Sequence, residues 1–219
     1  MEHKKNILII IPKLVGGGAE RVLINLLKQV DYQIYNIDLF IGLKGGRLEE
    51  EIPKEVNINF LFSFRIYEII TSVLVRHFSL TFPFKFFGKK ISRDYDVGIC
   101  FFESYYSNFL MNTRGELKKK TIFIHSSFKT YSNKFKKYKG ESLKLIKERL
   151  NKIDIVVSVS QESLNEFKDL FGKHQDMRVI YNSMNVKEIL SKAKDKTHFK
   201  LDKNKVNIIA VGSHIPVKG

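Results

Sequence analysis

The feature that most constrains the fold is residues 6–30, where an apolar run, three glycines and a helical pattern follow one another. The apolar run at residues 6–11 is typical of a strand buried on both faces of a parallel sheet. Pro12 lacks a backbone donor and ends this strand. Gly16, Gly17 and Gly18 allow the backbone to reach positive φ, and apolar residues at helical spacing follow them. The pattern predicts a strand, a tight turn and a helix in immediate succession.

This turn presents backbone N–H groups at the start of a helix, where the helix dipole favours an anion. The kind of anion stays open. A dinucleotide fingerprint would need glycine where Arg21 stands, and a Walker loop would need Gly-Lys followed by Ser or Thr. The alternative is that the glycines serve only a tight turn and close packing of helix on sheet.

Further strands and helices alternate along the chain. They predict an α/β fold, a Rossmann-like parallel sheet of about seven strands flanked by helices. Ligands of such sheets bind outside the carboxyl ends of the strands, so Gly16, Glu103 and His125 are candidates for one crevice. We predict strands at residues 6–11, 35–41, 56–61, 96–102, 121–124, 154–159, 177–181 and 206–211, and later helices at 105–112, 139–151 and 160–172.

Positive charge is concentrated in the second half of the chain. The 219 residues carry a formal charge of +15, and residues 118–152 hold 12 Lys and Arg against Glu141 and Glu148. This excess predicts an acidic partner such as phospholipid head groups, a pyrophosphate-linked acceptor or nucleic acid. No nucleic-acid partner is expected, because no recognition motif accompanies the charge. The alternative is a solvated helix face.

Residues 64–92 combine many aromatic side chains with Arg and Lys, and two interpretations remain open. A helix in the membrane interface would insert its phenylalanines while the cations meet anionic lipid. Alternatively, the segment is an ordinary crossover whose phenylalanines fill the core.

Other chemistries find little support in the sequence. The six histidines lack metal-ligand spacing, so no metal is expected, and there is no G-x-S-x-G nucleophile motif. The single Cys100 excludes an intrachain disulfide and fits a reducing compartment. Without a signal-peptide core or a long apolar run, we expect a cytoplasmic protein.

Five motifs in order resemble the family 4 glycosyltransferases: GGGAER followed by VLINLL, IFIHSSF, DIVVSVSQES, VIYNSM and VNIIAVGSHIPVKG. The resemblance implies the GT-B architecture, two Rossmann-like domains across a cleft, and a retaining enzyme. It implies sugar transfer from a nucleotide-sugar, with no cofactor, to a cell-surface polysaccharide or lipid-linked acceptor. The reaction would take place at the inner face of the cytoplasmic membrane, and the anionic membrane surface would be a partner. The alternative is a non-catalytic half-enzyme that binds an anionic lipid-linked glycan or the membrane surface.

The resemblance also implies roles for individual residues. Gly16, Gly17 and Gly18 would approach the donor phosphates, His125 would lie near the transferred sugar, and Lys218 would contact the diphosphate. Glu103, Ser126 and Asn182 are candidates for the acceptor side or the cleft. Two positions depart from the family pattern, since Ser213 replaces a phosphate-binding arginine and Ser183 replaces the glycine after Asn182.

The same resemblance predicts the domain organisation. Residues 1–185 would form the acceptor-side domain, residues 186–205 a linker, and residues 206–219 the first strand and phosphate loop of a nucleotide-sugar-binding domain. We therefore expect the 219-residue chain to be the N-terminal part of such an enzyme and to lack transferase activity alone.

Overall fold

The computed structural model describes residues 4–78, 80–129, 137–138, 141–195 and 204–208, with only the backbone for 137–138. The chain divides into two compact units, residues 1–183 and residues 184–219. The sheet and most of the candidate site residues lie in the first unit. The predicted domain boundaries remain predictions.

The first unit is built on one sheet of seven parallel strands, and this confirms the Rossmann-like α/β fold. Strands six and seven in chain order form a separate antiparallel hairpin, β6 (Lys137–Tyr138) and β7 (Glu141–Ser142). The sheet consists of β1 (Lys5–Ile11), β2 (Tyr35–Ile41), β3 (Asn57–Phe60), β4 (Tyr95–Cys100), β5 (Leu117–Ile124), β8 (Ile155–Ser158) and β9 (Met177–Val179). Their order in space is β3-β2-β1-β4-β5-β8-β9.

The helices change from one face of the sheet to the other where the strand order reverses, between β1 and β4. Helix α1 (Gly18–Leu27) packs on the first face, together with a 3-10 turn at Glu49–Glu51. The opposite face carries α2 (Arg65–Phe78), α3 (Phe82–Gly88), a 3-10 helix (Tyr105–Met111), α4 (Leu143–Leu150) and α5 (Gln161–Phe171). Such a reversal opens a crevice at the carboxyl ends of the strands.

Each face has its own apolar core, because side chains alternate along a strand. Ile9 and Ile11 of β1 pack with Leu23 and Leu27 of α1. On the other face, the core around Leu8 is rich in aromatic residues: Phe62, Phe84, Tyr106, Phe109, Phe128 and Phe167. The segment at 64–92 contributes to this core only in part. Phe84 is fully buried and Phe87 packs against the core, whereas Phe78, Phe82 and Phe86 are exposed.

Several element boundaries differ from the sequence prediction. Helix α4 begins at Leu143 and not near residue 139, because residues 141–142 pair in the hairpin and the Ser142 hydroxyl accepts the N–H of Leu145. Just before this helix, Glu141 forms a bidentate ion pair with Arg149 in which both side chains are buried. The predicted helix at 105–112 is a 3-10 helix. Helix α5 lies within the predicted range 160–172, with Ser160 as the cap at its start and Gly172, at φ 84°, as the cap at its end.

The second unit contains α6 (Val186–Lys192), capped by the Asn185 side chain, within the segment for which the resemblance predicted a linker. The strand predicted at 206–211 is not formed at residues 206–208. Residues 209–219, including Ser213 and Lys218, lie outside the described part of the chain. Among the residues that the structure describes, no helix has the length and apolar character needed to cross a bilayer.

Candidate active site at the carboxyl ends of the strands

The glycine turn lies between the carboxyl end of β1 and the first residue of α1. Gly16 has φ 122°, which L side chains rarely adopt, and Gly17 is the N-cap in an extended conformation. A Cβ on Gly16 would also come within 2.9 Å of Arg47 Nη2. The backbone conformation therefore requires the first glycine, whereas the Arg47 guanidinium is the end of a flexible side chain and could move aside. A Cβ on Gly18 would meet open space.

The N–H groups of this turn are held by a carboxylate of the same chain. Glu20 Oε2 accepts the N–H of Gly16 at 2.6 Å and that of Gly17 at 3.0 Å. The turn is thus occupied by a carboxylate of its own helix, that of the third residue of α1, in a capping box. Binding of donor phosphates by the turn stays a prediction. An incoming phosphate that uses these two N–H groups must displace Glu20.

A buried carboxylate joins the ends of β4 and β5. Glu103 is only 3% exposed, and its Oε2 accepts the backbone N–H of His125 at 3.0 Å. Its Oε1 accepts the hydroxyl of Ser126. A second carboxylate, that of Glu166 on α5, accepts the Ser127 hydroxyl at 2.7 Å. Two glutamates therefore fix the loop that follows β5.

The His125 ring is half-buried among aromatic rings of the α1 face. Its centroid lies 4.9 Å from that of Phe101 and 6.0 Å from that of Phe123. Phe101 belongs to the core cluster that contains Ile11, Leu14 and Leu23. His125 and the glycine turn consequently share one face of the sheet as well as its carboxyl edge.

The structure thus brings most of the sequence-predicted residues to neighbouring strand ends. Gly16, Gly17 and Gly18 follow β1, Glu103 follows β4, and His125 and Ser126 follow β5. Asn182 is different. The adjacent Ser183 accepts a hydrogen bond from Gln29 at 3.0 Å, just beyond the far end of α1, so this segment lies away from the glycine turn. Lys218 lies outside the described residues.

A cationic pocket near the glycine turn was not predicted from the sequence. It has a volume of about 440 Å³ and lies at the carboxyl ends of β1, β2 and β3. Lys13, Lys44 and Arg65 bring a cation from each of the three loops that line it. Lys13 Nζ lies 3.9 Å from Glu68, which also accepts the Tyr105 hydroxyl at 3.2 Å. Each cation closely follows a strand end, and that position is the signal that could have identified it.

The same pocket contains a second glycine turn built like the first. Glu49 Oε1 accepts the N–H groups of Gly45 and Gly46 at 2.8 Å and 2.7 Å. The sequence Gly-Gly-x-x-Glu occurs at both turns, at residues 16–20 and 45–49. This repeat is a sequence signal for the paired arrangement, in which each carboxylate caps two glycine N–H groups.

Comparison with solved structures supports the fold. HepE (Alr3699) of Anabaena, solved with UDP and glucose, matches with a TM-score of 0.52 and 18% identity over 88% of this chain. HepE solved with UDP-glucose matches with a TM-score of 0.52 and 16% identity over 84% of this chain. The chain spans 50% and 45% of the lengths of these two structures. At this identity the likeness concerns the fold, which is that of GT-B glycosyltransferases.

Comparison of sequences gives the family. A search of curated proteins finds no match. The family model described as Glycosyltransferase Family 4 matches residues 16–188, a stretch that begins at the glycine turn and includes Glu103 and His125. This match covers well over half of the 219 residues, and the parallel sheet agrees with it. The chain therefore belongs to glycosyltransferase family 4.

Proposed function

We propose that the protein transfers a hexose from a nucleotide-sugar to a cell-surface polysaccharide or a lipid-linked acceptor, with residues 1–185 forming the acceptor-side domain. The observation that carries this proposal is the common position of the glycine turn and His125, on one face and one edge of the sheet. Family membership supports the reaction class. The UDP and UDP-glucose in the HepE structures make UDP-hexoses the first donors to test.

The chemistry of the site would be electrostatic. Negative charge develops on the leaving nucleotide diphosphate, and oriented N–H groups at a helix N-terminus stabilise such charge. In this proposal the diphosphate displaces Glu20 from Gly16 and Gly17. The backbone N–H of His125 donates to Glu103, and aromatic rings pack around its side chain. The imidazole held in this way would form a hydrogen bond with the transferred sugar.

A titration of the isotopically labelled protein with UDP-glucose, followed by amide NMR, tests this arrangement. The expected result is a shift of the Gly16, Gly17 and Gly18 amide signals, with smaller shifts at His125. Gly172, a glycine with positive φ at the end of α5, serves as the internal control. Donor-induced shifts that leave all three turn glycines unaffected would refute the donor role of the turn.

We further propose that the protein works at the inner face of the cytoplasmic membrane, and that the 219-residue chain alone has no transferase activity. Release of UDP from UDP-glucose by the purified chain, in the presence of a lipid-linked acceptor, would contradict the second statement. A non-catalytic module that grips an anionic lipid-linked glycan is the alternative. The cationic pocket of Lys13, Lys44 and Arg65 favours it. Binding of a polyprenyl pyrophosphate glycan without any response to UDP-glucose would support this alternative.

A further inference from the structure

Helix α2 has an apolar stripe on its outer side in addition to the side that it buries. Its buried residues are Thr71 and Val75. The outer stripe recurs at helical spacing i, i+3, i+4 and i+7 and is about half exposed: Ile66 55%, Ile69 44%, Ile70 48% and Val73 43%. A helix of an ordinary surface carries polar residues at these positions, so the stripe marks an interaction surface.

Helix α3 extends this surface with aromatic rings. Phe82 and Phe86, one helical turn apart, are 62% and 69% exposed, while Phe84 between them is fully buried. Phe78, at the end of α2, is 63% exposed. The helix therefore divides its phenylalanines between the core and solvent, and the part of the chain that the structure describes leaves more than half of the Phe82 and Phe86 side chains uncovered.

Cations border the apolar surface. Residues 64–90 contain Arg65, Arg76, Lys85, Lys89 and Lys90 and one acidic residue, Glu68. Glu68 is half-buried and accepts the Tyr105 hydroxyl. That carboxylate is used within the protein, as are two of the cations: the Arg76 guanidinium lies 5.3 Å from the centroid of the Tyr105 ring, and Lys90 donates to the Leu61 carbonyl at 2.9 Å. Arg65, Lys85 and Lys89 are exposed, so the outward charge of the segment is positive.

The basic helix α4 adjoins the same layer. A cavity of about 210 Å³ is lined by Val75 and Thr81 of the α2–α3 region and by Leu145 and Lys152 on the α4 side. Lys144 and Lys147 of α4 are exposed. Two basic regions that are separate in the sequence therefore lie on the same face of the sheet.

We propose that this surface, the outer stripe of α2 with Phe78, Phe82 and Phe86 and the surrounding cations, docks on an anionic lipid bilayer. Apolar side chains bordered by Lys and Arg match the acyl boundary and the negative head groups. The 14 residues of α2 extend about 21 Å, which is shorter than the hydrocarbon core of about 30 Å, so the helix lies on the membrane and does not cross it. This surface would hold the proposed transferase on the membrane; its docking rests on the proposed function only for the biological role of the bilayer.

Vesicle sedimentation tests the docking surface. The protein is expected to bind vesicles containing phosphatidylglycerol, and the bound fraction should fall with rising salt and with a falling share of anionic lipid. Phe82→Ser with Phe86→Ser should lower the partition coefficient on the order of tenfold for each ring that leaves the bilayer. Ile34→Ser is the matched control, since Ile34 is 50% exposed and precedes β2 at the other end of the sheet.

Charge-reversal variants separate the effect of the cations near α3 from the effect of the net charge. Lys85→Glu with Lys89→Glu should release the protein from anionic vesicles. Lys5→Glu with Lys54→Glu changes the net charge equally at two exposed positions outside α2, α3 and α4, and should retain binding. The proposal would be overturned if the protein bound neutral vesicles as well as anionic ones, or if both pairs of charge reversals lowered binding equally. It would also be overturned if the protein associated with itself and the variant with serine at positions 82 and 86 did not. Circular dichroism confirms that each variant is folded. The UDP-glucose titration without vesicles reports on the donor site separately, so failure of docking and failure of the proposed function are distinguishable.

Discussion

Replacing Glu103 tests whether one buried carboxylate fixes the loop that carries His125. In Glu103→Ala, the His125 N–H and the Ser126 hydroxyl lose their acceptor in a buried site, at about 1–3 kcal/mol for each group. Loss of the buried stem adds about 1 kcal/mol. The free energy of unfolding should therefore fall by about 3–7 kcal/mol, a large part of the stability of an ordinary domain. Glu103→Gln keeps the stem and one acceptor oxygen, and should lose about 1–3 kcal/mol because one of the two donors then has no acceptor at this side chain.

Urea unfolding followed by circular dichroism measures these differences, provided that the dependence of the free energy of unfolding on urea concentration is the same in each variant. Glu50→Gln is the matched control, because it removes the same charge from an exposed side chain and should stay within about 0.5 kcal/mol of the parent protein. The reasoning fails if Glu103→Gln is as stable as Glu50→Gln. It also fails if the His125 amide signal keeps its position in Glu103→Ala, because that amide donates to the carboxylate.

Three further predictions concern other charged or titratable groups. Glu20→Gln should lower the free energy of unfolding by about 0.5–2 kcal/mol because the helix cap is weaker. Inorganic pyrophosphate should nevertheless shift the Gly16 and Gly17 amide signals at a lower concentration than in the parent protein. An unchanged titration would show that Glu20 does not compete with the anion for these N–H groups. Burial raises the pKa of the Cys100 thiol to about 12, so a thiol reagent should react with it only when the protein unfolds, and rapid labelling of the native protein at neutral pH would contradict this. The free energy of unfolding should decline as the pH rises from about 8.5, where the unfolded thiol ionises, towards 12. Hydrogen bonds from Arg21 and Lys28 lower the pKa of Glu51 to about 2, so its contribution is present above the ordinary carboxyl pKa and is lost as the pH falls towards 2; Glu51→Gln should abolish that part of the acid dependence of the melting temperature.

The sheet and the edge that carries the candidate site could be predicted because they depend on local signals. Apolar runs ended by Pro12 or Gly42 specify strands, and the carboxyl ends of parallel strands necessarily share one edge. That argument placed the glycine turn, Glu103 and His125 together without any knowledge of distances. Asn182 follows a strand in the same way, but the chain beyond β9 turns towards Gln29, a contact over 154 positions that no local pattern specifies.

The errors come from interactions between distant residues. Strand β5 starts at Leu117 because it pairs with Tyr95, although its lysines resemble a loop; Lys118 is accommodated by an ion pair with Asp96. The cationic pocket unites three loops, so its members are not adjacent in sequence. The carboxylates that cap the glycine turns were present in the sequence as a repeat, and they were missed because glycine-rich turns suggest an empty anion site.

The ion pair of Glu141 and Arg149 has a consequence for how the chain selects its packing. Removing two charges from water costs several kcal/mol for each ion, so the pair adds little net stability. A hairpin or α4 displaced by one residue would instead bury a lone charge, at about 3–5 kcal/mol. We infer that these two residues fix the registry of the basic helix against the hairpin, and that a paired replacement by leucine and methionine would keep the stability while admitting alternative alignments.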